Sequence, residues 1–152
     1  MKRMSLAFIA AAAASMLAGA ALADTPQEEA NKKVAIALYN ASLNDKDWDR
    51  ALKFIGPTYK QHNLGAPDGI EGFHAHIENL KKTAPLNHGE IVHVMASGDL
   101  VALHVHVKRK PEDRGMAIVD IFRIKDGKVV EHWDVVQQIP DPEKWQNQNG
   151  MF

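Results

Sequence analysis

The second half of the sequence is dominated by strand-length segments joined by tight turns, which restricts the chain to a small set of sheet architectures. Leu100 to Lys108 alternates strictly, with Val101, Leu103, Val105 and Val107 on one face and Ala102, His104 and His106 on the other. Glu90 to Met95 precedes it across the turn Ser97-Gly98-Asp99. Met116 to Lys125 follows, and Asp126-Gly127 is a tight hairpin signal leading into Val129 to Gln138. Four such segments in succession predict an antiparallel meander. The third has two largely apolar faces, Met116, Ile118, Phe122 and Ile124 against Ala117, Val119 and Ile121, so it is expected to be covered on both sides.

The first half reads as helices. Pro26, Glu28 and Glu29 form a helix start, with the acids near the positive end of the dipole. Val34, Leu38, Ala41 and Leu43 give an apolar stripe that ends at Asn44-Asp45. Asp47 caps a second short helix, Trp48 to Phe54, with Trp48, Leu52 and Ile55 on one side, and Gly56-Pro57 stops it. Tyr59 to Asn63 is a short extended piece. A third helix spans Ile70 to Lys82, with Phe73, Ile77 and Leu80 facing a core. Helices segregated from a meander of strands indicate an α+β domain.

At the N-terminus, Met1-Lys2-Arg3-Met4 is followed by an apolar run to Leu22 and the small-x-small triplet Ala21-Leu22-Ala23. This pattern predicts a signal peptide over residues 1–23, cleaved after Ala23, and a single domain over 24–152. The expected location is the periplasm or the exterior. No other stretch has the length of apolar sequence that a spanning helix needs, so no membrane association is expected after cleavage. Losing Lys2 and Arg3 takes the formal net charge from −1 to −3. That balance argues against a nucleic-acid partner. The sequence has no cysteine, which removes thiol nucleophiles, iron–sulfur clusters and cysteine-ligated zinc from consideration.

The chemistry must then come from carboxylates and the eight histidines. Asp120 falls mid-strand among apolar neighbours, where a carboxyl group has to be paired, protonated or lining a cavity. His104 and His106 share a face on the preceding strand, and His132 and Asp134 share one on the following strand. His62 lies on the early extended piece. These groups either converge on one pocket or, since Val101 to Val107 already supplies an apolar face, point to water. His74 and His76 read as surface or rim residues, and His88 and His93 as surface. Trp48 and Trp145 read first as packing residues. A third arrangement is a metal site, with His62, His104, His106 and His132 joined by Asp120 or Asp134.

The segment from Ile118 to Val136, Ile-Val-Asp-Ile-Phe-Arg-Ile-Lys-Asp-Gly-Lys-Val-Val-Glu-His-Trp-Asp-Val-Val, resembles the SnoaL-like branch of the nuclear transport factor 2-like superfamily. Tyr59-Lys-Gln-His-Asn63, Gly69-Ile-Glu-Gly-Phe73 and Gly98 to His106 match the same branch in the same order. The resemblance implies a cone-shaped curved antiparallel sheet packed on three N-terminal helices, with a deep pocket and a homodimer formed through the outer sheet face. It implies a pocket-facing Asp120 acting as general acid/base, as in the aldol closure of polyketide cyclases. Ketosteroid isomerases carry an aspartate at a similar position, held protonated by an apolar site. His104 and His106 match the cyclases' polar pair. In this reading His106 positions or shares the proton of Asp120, and His62 or His104 polarises the substrate oxygen. His132, Asp134, Phe122, Ile118 and Trp48 are the expected ligand contacts. No cofactor is implied. The expected ligand is a small apolar or carbonyl-containing molecule, turned over by a cyclase, lyase or isomerase or simply held by a periplasmic binding module. The fold carries several chemistries, so the reaction has to be argued from the site.

Overall fold

A computed structural model describes residues 23–152; the signal-peptide expectation lies outside these residues apart from Ala23. The first helix, α1, runs over Pro26–Tyr39 and is closed by a capping box. Thr25 Oγ1 accepts from the Glu28 backbone N–H, and the Glu28 carboxylate accepts from the Thr25 backbone N–H at 2.8 Å. The same carboxylate also accepts from the Gly98 N–H at 2.9 Å, which pins the helix start to a hairpin turn. These backbone donors hold Glu28 down at about 2. Ala35, Leu38, Tyr39 and Ala41 form the buried stripe.

After Tyr39 the helix widens into a π turn over Asn40–Asn44. This turn delivers Asn44, whose side-chain amide brackets Gly89: Nδ2 donates to the Gly89 carbonyl at 3.0 Å and Oδ1 accepts from its N–H at 2.8 Å. Gly89 is required there, because a Cβ would lie 2.1 Å from the Tyr39 hydroxyl. The second helix, α2, covers only Trp48–Ala51 before tightening to a 3₁₀ turn over Leu52–Phe54. That change of period rotates Leu52 off the expected buried face, and it is 44% exposed.

The five strands are β1 (Ile55–Gln61), β2 (His88–Ser97), β3 (Leu100–Lys108), β4 (Met116–Lys125) and β5 (Lys128–Gln138), with α3 (Gly69–Thr83) between β1 and β2. The expected antiparallel meander is β2 to β5. The early extended piece adds a parallel edge, giving the order β1-β5-β4-β3-β2 and a mixed sheet. Parallel pairing is open to β1 because the long excursion through α3 and the meander separates it from β5. The inner face of β3, Val101, Leu103, Val105 and Val107, packs with Leu38, Tyr39 and Ile77 into one core. No helix among the described residues is long and apolar enough to cross a membrane.

The C-terminal segment turns back beneath the outer face of the sheet. Arg114 pairs with Asp141, Ile139 N–H donates to the Gly115 carbonyl, and Phe152 stacks on His106 and His104 with ring centroids at 4.5 and 5.1 Å.

Candidate active site

The sheet register decides which polar side chains meet. Residues paired across neighbouring strands share a face. Leu103, Asp120 and Asp134 are in register across β3, β4 and β5, and Phe122, His132 and Gln61 across β4, β5 and β1. Leu103 belongs to the buried core, so all of these face inward. Asp120, Asp134, Phe122, His132 and Gln61 line a cavity of about 290 Å³ between the sheet and the helices, with Tyr39, Tyr59, Phe73, Asn63, His76 and Ile118.

The same register sends His104 and His106 the other way. Their partners are Val119 and Ala117 on the outer face. There His104 Nδ1 lies 3.2 Å from His93 Nδ1, and His106 Nε2 donates to the Arg114 carbonyl at 2.7 Å. The expected convergence of His104 and His106 on Asp120 is therefore corrected: one residue of parity separates the two faces. His62 is also on the outer side. Its ring stacks on Trp133 at 4.5 Å and bonds Glu131 at 2.7 Å, where that hydrogen bond helps hold the Glu131 carboxylate below its ordinary range. Trp48 does not line the cavity. It stacks on His74 at 4.3 Å and meets the back of Phe73 edge-on. Of the residues read from the sequence, Asp120, His132, Asp134, Phe122 and Ile118 come together.

Asp120 is 4% exposed and His132 8%. Asp120 Oδ1 lies 3.0 Å from His132 Nε2, and Oδ2 has no hydrogen-bond partner among the described residues. Burial pushes the Asp120 carboxyl up from its ordinary value; the His132 hydrogen bond opposes this and the nearby Asp134 charge adds to it. The Tyr39 and Tyr59 hydroxyls are pushed upward by burial and by the Asp120 charge, so both rings present neutral O–H groups. His76, on the inner side of α3, is lowered by burial and then by His132, with Asp134 opposing.

Gln61, Asn63 and the two tyrosines were not singled out by the sequence reading. Parity along β1 carries the signal: Tyr59, Gln61 and Asn63 share the face opposite to His62. Asn63 Nδ2 donates to both oxygens of Asp134 at 2.9 and 2.7 Å, and Asn63 Oδ1 accepts from the Gly65 N–H at 2.7 Å. One donor atom each of Asp120, His132 and Asp134 lies within 4.8 Å of the others, a set that could touch a divalent cation.

Residues 33–140 match the family model of the SnoaL-like polyketide cyclases, and the chain belongs to that family. No curated protein matches it. Among solved structures it is similar to TsrD from Streptomyces laurentii, at 21% identity and a TM-score of 0.59, covering 71% of this chain and 88% of that one. It is similar to a candidate polyketide cyclase from Bacillus cereus at 22% identity and a TM-score of 0.61, with 70% and 74% covered. AclR from Streptomyces galilaeus, a candidate hydroxylase, aligns at 23% identity and a TM-score of 0.60, covering 74% and 82%. These likenesses establish the nuclear transport factor 2-like fold, which holds more than one chemistry.

Proposed function

We propose that this protein is an exported, cofactor-free acid/base enzyme that moves a proton next to a carbonyl group of a small, largely apolar molecule. Aldol-type ring closure, elimination and isomerisation all begin with that step. The observation that carries the reading is Asp120: a buried carboxyl group, raised above its ordinary value by that burial, with one oxygen uncommitted at a largely apolar cavity. A base whose affinity for protons approaches that of the surroundings is what such a transfer needs. The neutral Tyr39 and Tyr59 hydroxyls line the same cavity as donors for an enolate oxygen. Membership of the SnoaL-like polyketide cyclase family supports the reaction class.

Export to the periplasm or exterior rests on the leader-like Met1 to Ala23. Assembly as a homodimer rests on the outer face of the sheet, where Val119 and Ile121 flank Trp133 and where Val135 is 68% and Met95 55% exposed.

The test is α-proton exchange of small cyclic ketones in deuterated water, followed by proton NMR. The wild-type protein should accelerate exchange, and Asp120→Asn should lower the acceleration by about 100-fold or more. Saturable ketone binding without any exchange would instead mark a binding module. Equal exchange by Asp120→Asn would remove Asp120 from the chemistry.

A further inference from the structure

The hydrogen bonds around His132 contain more information than their lengths. The Asn63 backbone N–H can only donate, and it points at Gln61 Oε1 at 2.9 Å. Turning the Gln61 amide over would set its NH₂ against that N–H, donor against donor. The carbonyl oxygen of Gln61 is thereby fixed, and the same oxygen lies 3.0 Å from His132 Nδ1. An oxygen with only lone pairs to offer requires a hydrogen on Nδ1. The lone pair of a neutral His132 ring must then sit on Nε2, facing Asp120 Oδ1 at 3.0 Å.

We propose that Gln61, locked by the Asn63 backbone, is a positioning residue that holds His132 as the Nδ1–H tautomer, so that Asp120 and His132 share one bridging proton and work as a pair. This rests on the acid/base reading of the cavity and adds its proton path. An ionised Asp120 Oδ1 facing the Nε2 lone pair would be repulsive, so a hydrogen lies between them. When Asp120 Oδ2 takes a proton from the substrate carbon, the C–H bond breaks and its electron pair remains on the substrate as the enolate. In the same event Oδ1 passes the bridging hydrogen to Nε2. Asp120 ends as a neutral acid protonated on Oδ2, and His132 as an imidazolium whose Nδ1–H still rests on Gln61. The positive ring balances the enolate, with Asp134, His76, Arg109, Tyr39 and Tyr59 as the other titratable groups lining the cavity.

The experiment is long-range ¹⁵N–¹H NMR of the histidine rings, with the His132 signals assigned by His132→Gln and followed until the ring is neutral. The expected result is a proton on Nδ1 in the wild type. Gln61→Glu keeps an oxygen acceptor for both donors and should keep that pattern, whereas Gln61→Leu should move the proton wholly or partly to Nε2. A wild-type neutral ring protonated on Nε2 overturns the proposal. So does a Gln61→Leu spectrum identical to wild type. If Gln61→Leu fails to fold, the wild-type and Gln61→Glu spectra decide alone: Nδ1–H in both supports the proposal, and loss of Nδ1–H in either overturns it. The reading does not depend on turnover. Failure to exchange ketone protons alongside an intact Nδ1–H would therefore sink the enzymatic reading and leave the tautomer assignment intact.

Discussion

Replacing Asp120 by asparagine should make the protein more stable, and increasingly so as pH rises. Burial lifts the Asp120 carboxyl in the folded chain, whereas the unfolded chain releases this proton near about pH 3.9. Between the two values the native state holds a proton that the unfolded state has lost. The unfolded-minus-native proton count is then negative, so the stability from Asp120 is fully present below about pH 3.9 and declines as pH rises toward the folded value. Asparagine has the shape of the protonated acid, can donate to His132 Nε2, and does not titrate. Every other ionisable group is common to the two chains, so their difference isolates Asp120. The stability of Asp120→Asn minus that of wild type should grow by up to about 1.36 kcal/mol per pH unit within this window and level off above it. Urea unfolding followed by tryptophan fluorescence, at several pH values, measures it directly. A difference that does not change with pH, or one that shrinks as pH rises, would refute the reasoning.

Gly89→Ala places a methyl group against the Tyr39 hydroxyl; it should cost about 1–3 kcal/mol in urea unfolding and weaken ketone binding by displacing that ring. His104→Ala and His106→Ala should leave ketone exchange within about twofold of wild type, because these side chains are on the outer face; ¹H NMR rates check this, and a loss of about tenfold or more would place them in the chemistry after all. Leu103→Ala, in the fully buried core, should lose about 2–5 kcal/mol and shift the urea midpoint accordingly. Equilibrium dialysis against zinc should give well under one ion per chain, since both Asp134 oxygens are engaged by Asn63 and Asp120 Oδ1 by His132.

The element order, the meander and the burial of Asp120 were legible because each is local. Alternation, turn residues and a carboxylate among apolar neighbours are written within ten residues of one another. The roles of the histidines were not, because both faces of Met116 to Lys125 are apolar and parity alone does not say which one meets the helices. His104 and His106 match the cyclases' polar pair by position, yet Leu103 beside Asp120 puts them on the opposite side. Phe152 then stacks on both, a contact that joins β3 to a segment far from it in sequence. Gln61 and Asn63 stayed hidden because β1 pairs with a distant strand in parallel, and its register shifts between Ile55 and Lys60.

That edge strand also fixes when the site can exist. Asp120 and His132 are 12 residues apart and meet as soon as the β4–β5 hairpin closes. The Gln61–His132 and Asn63–Asp134 bonds each span 71 residues. Such contacts join segments far apart in sequence and form late, after their loop-closure entropy has been met. The Asp120–His132 pair would then be assembled before Gln61 and Asn63 tune it. Peeling β1 from the sheet edge would release Gln61 and Asn63 while leaving the meander and its hydrophobic core paired, so activity should be lost ahead of global unfolding.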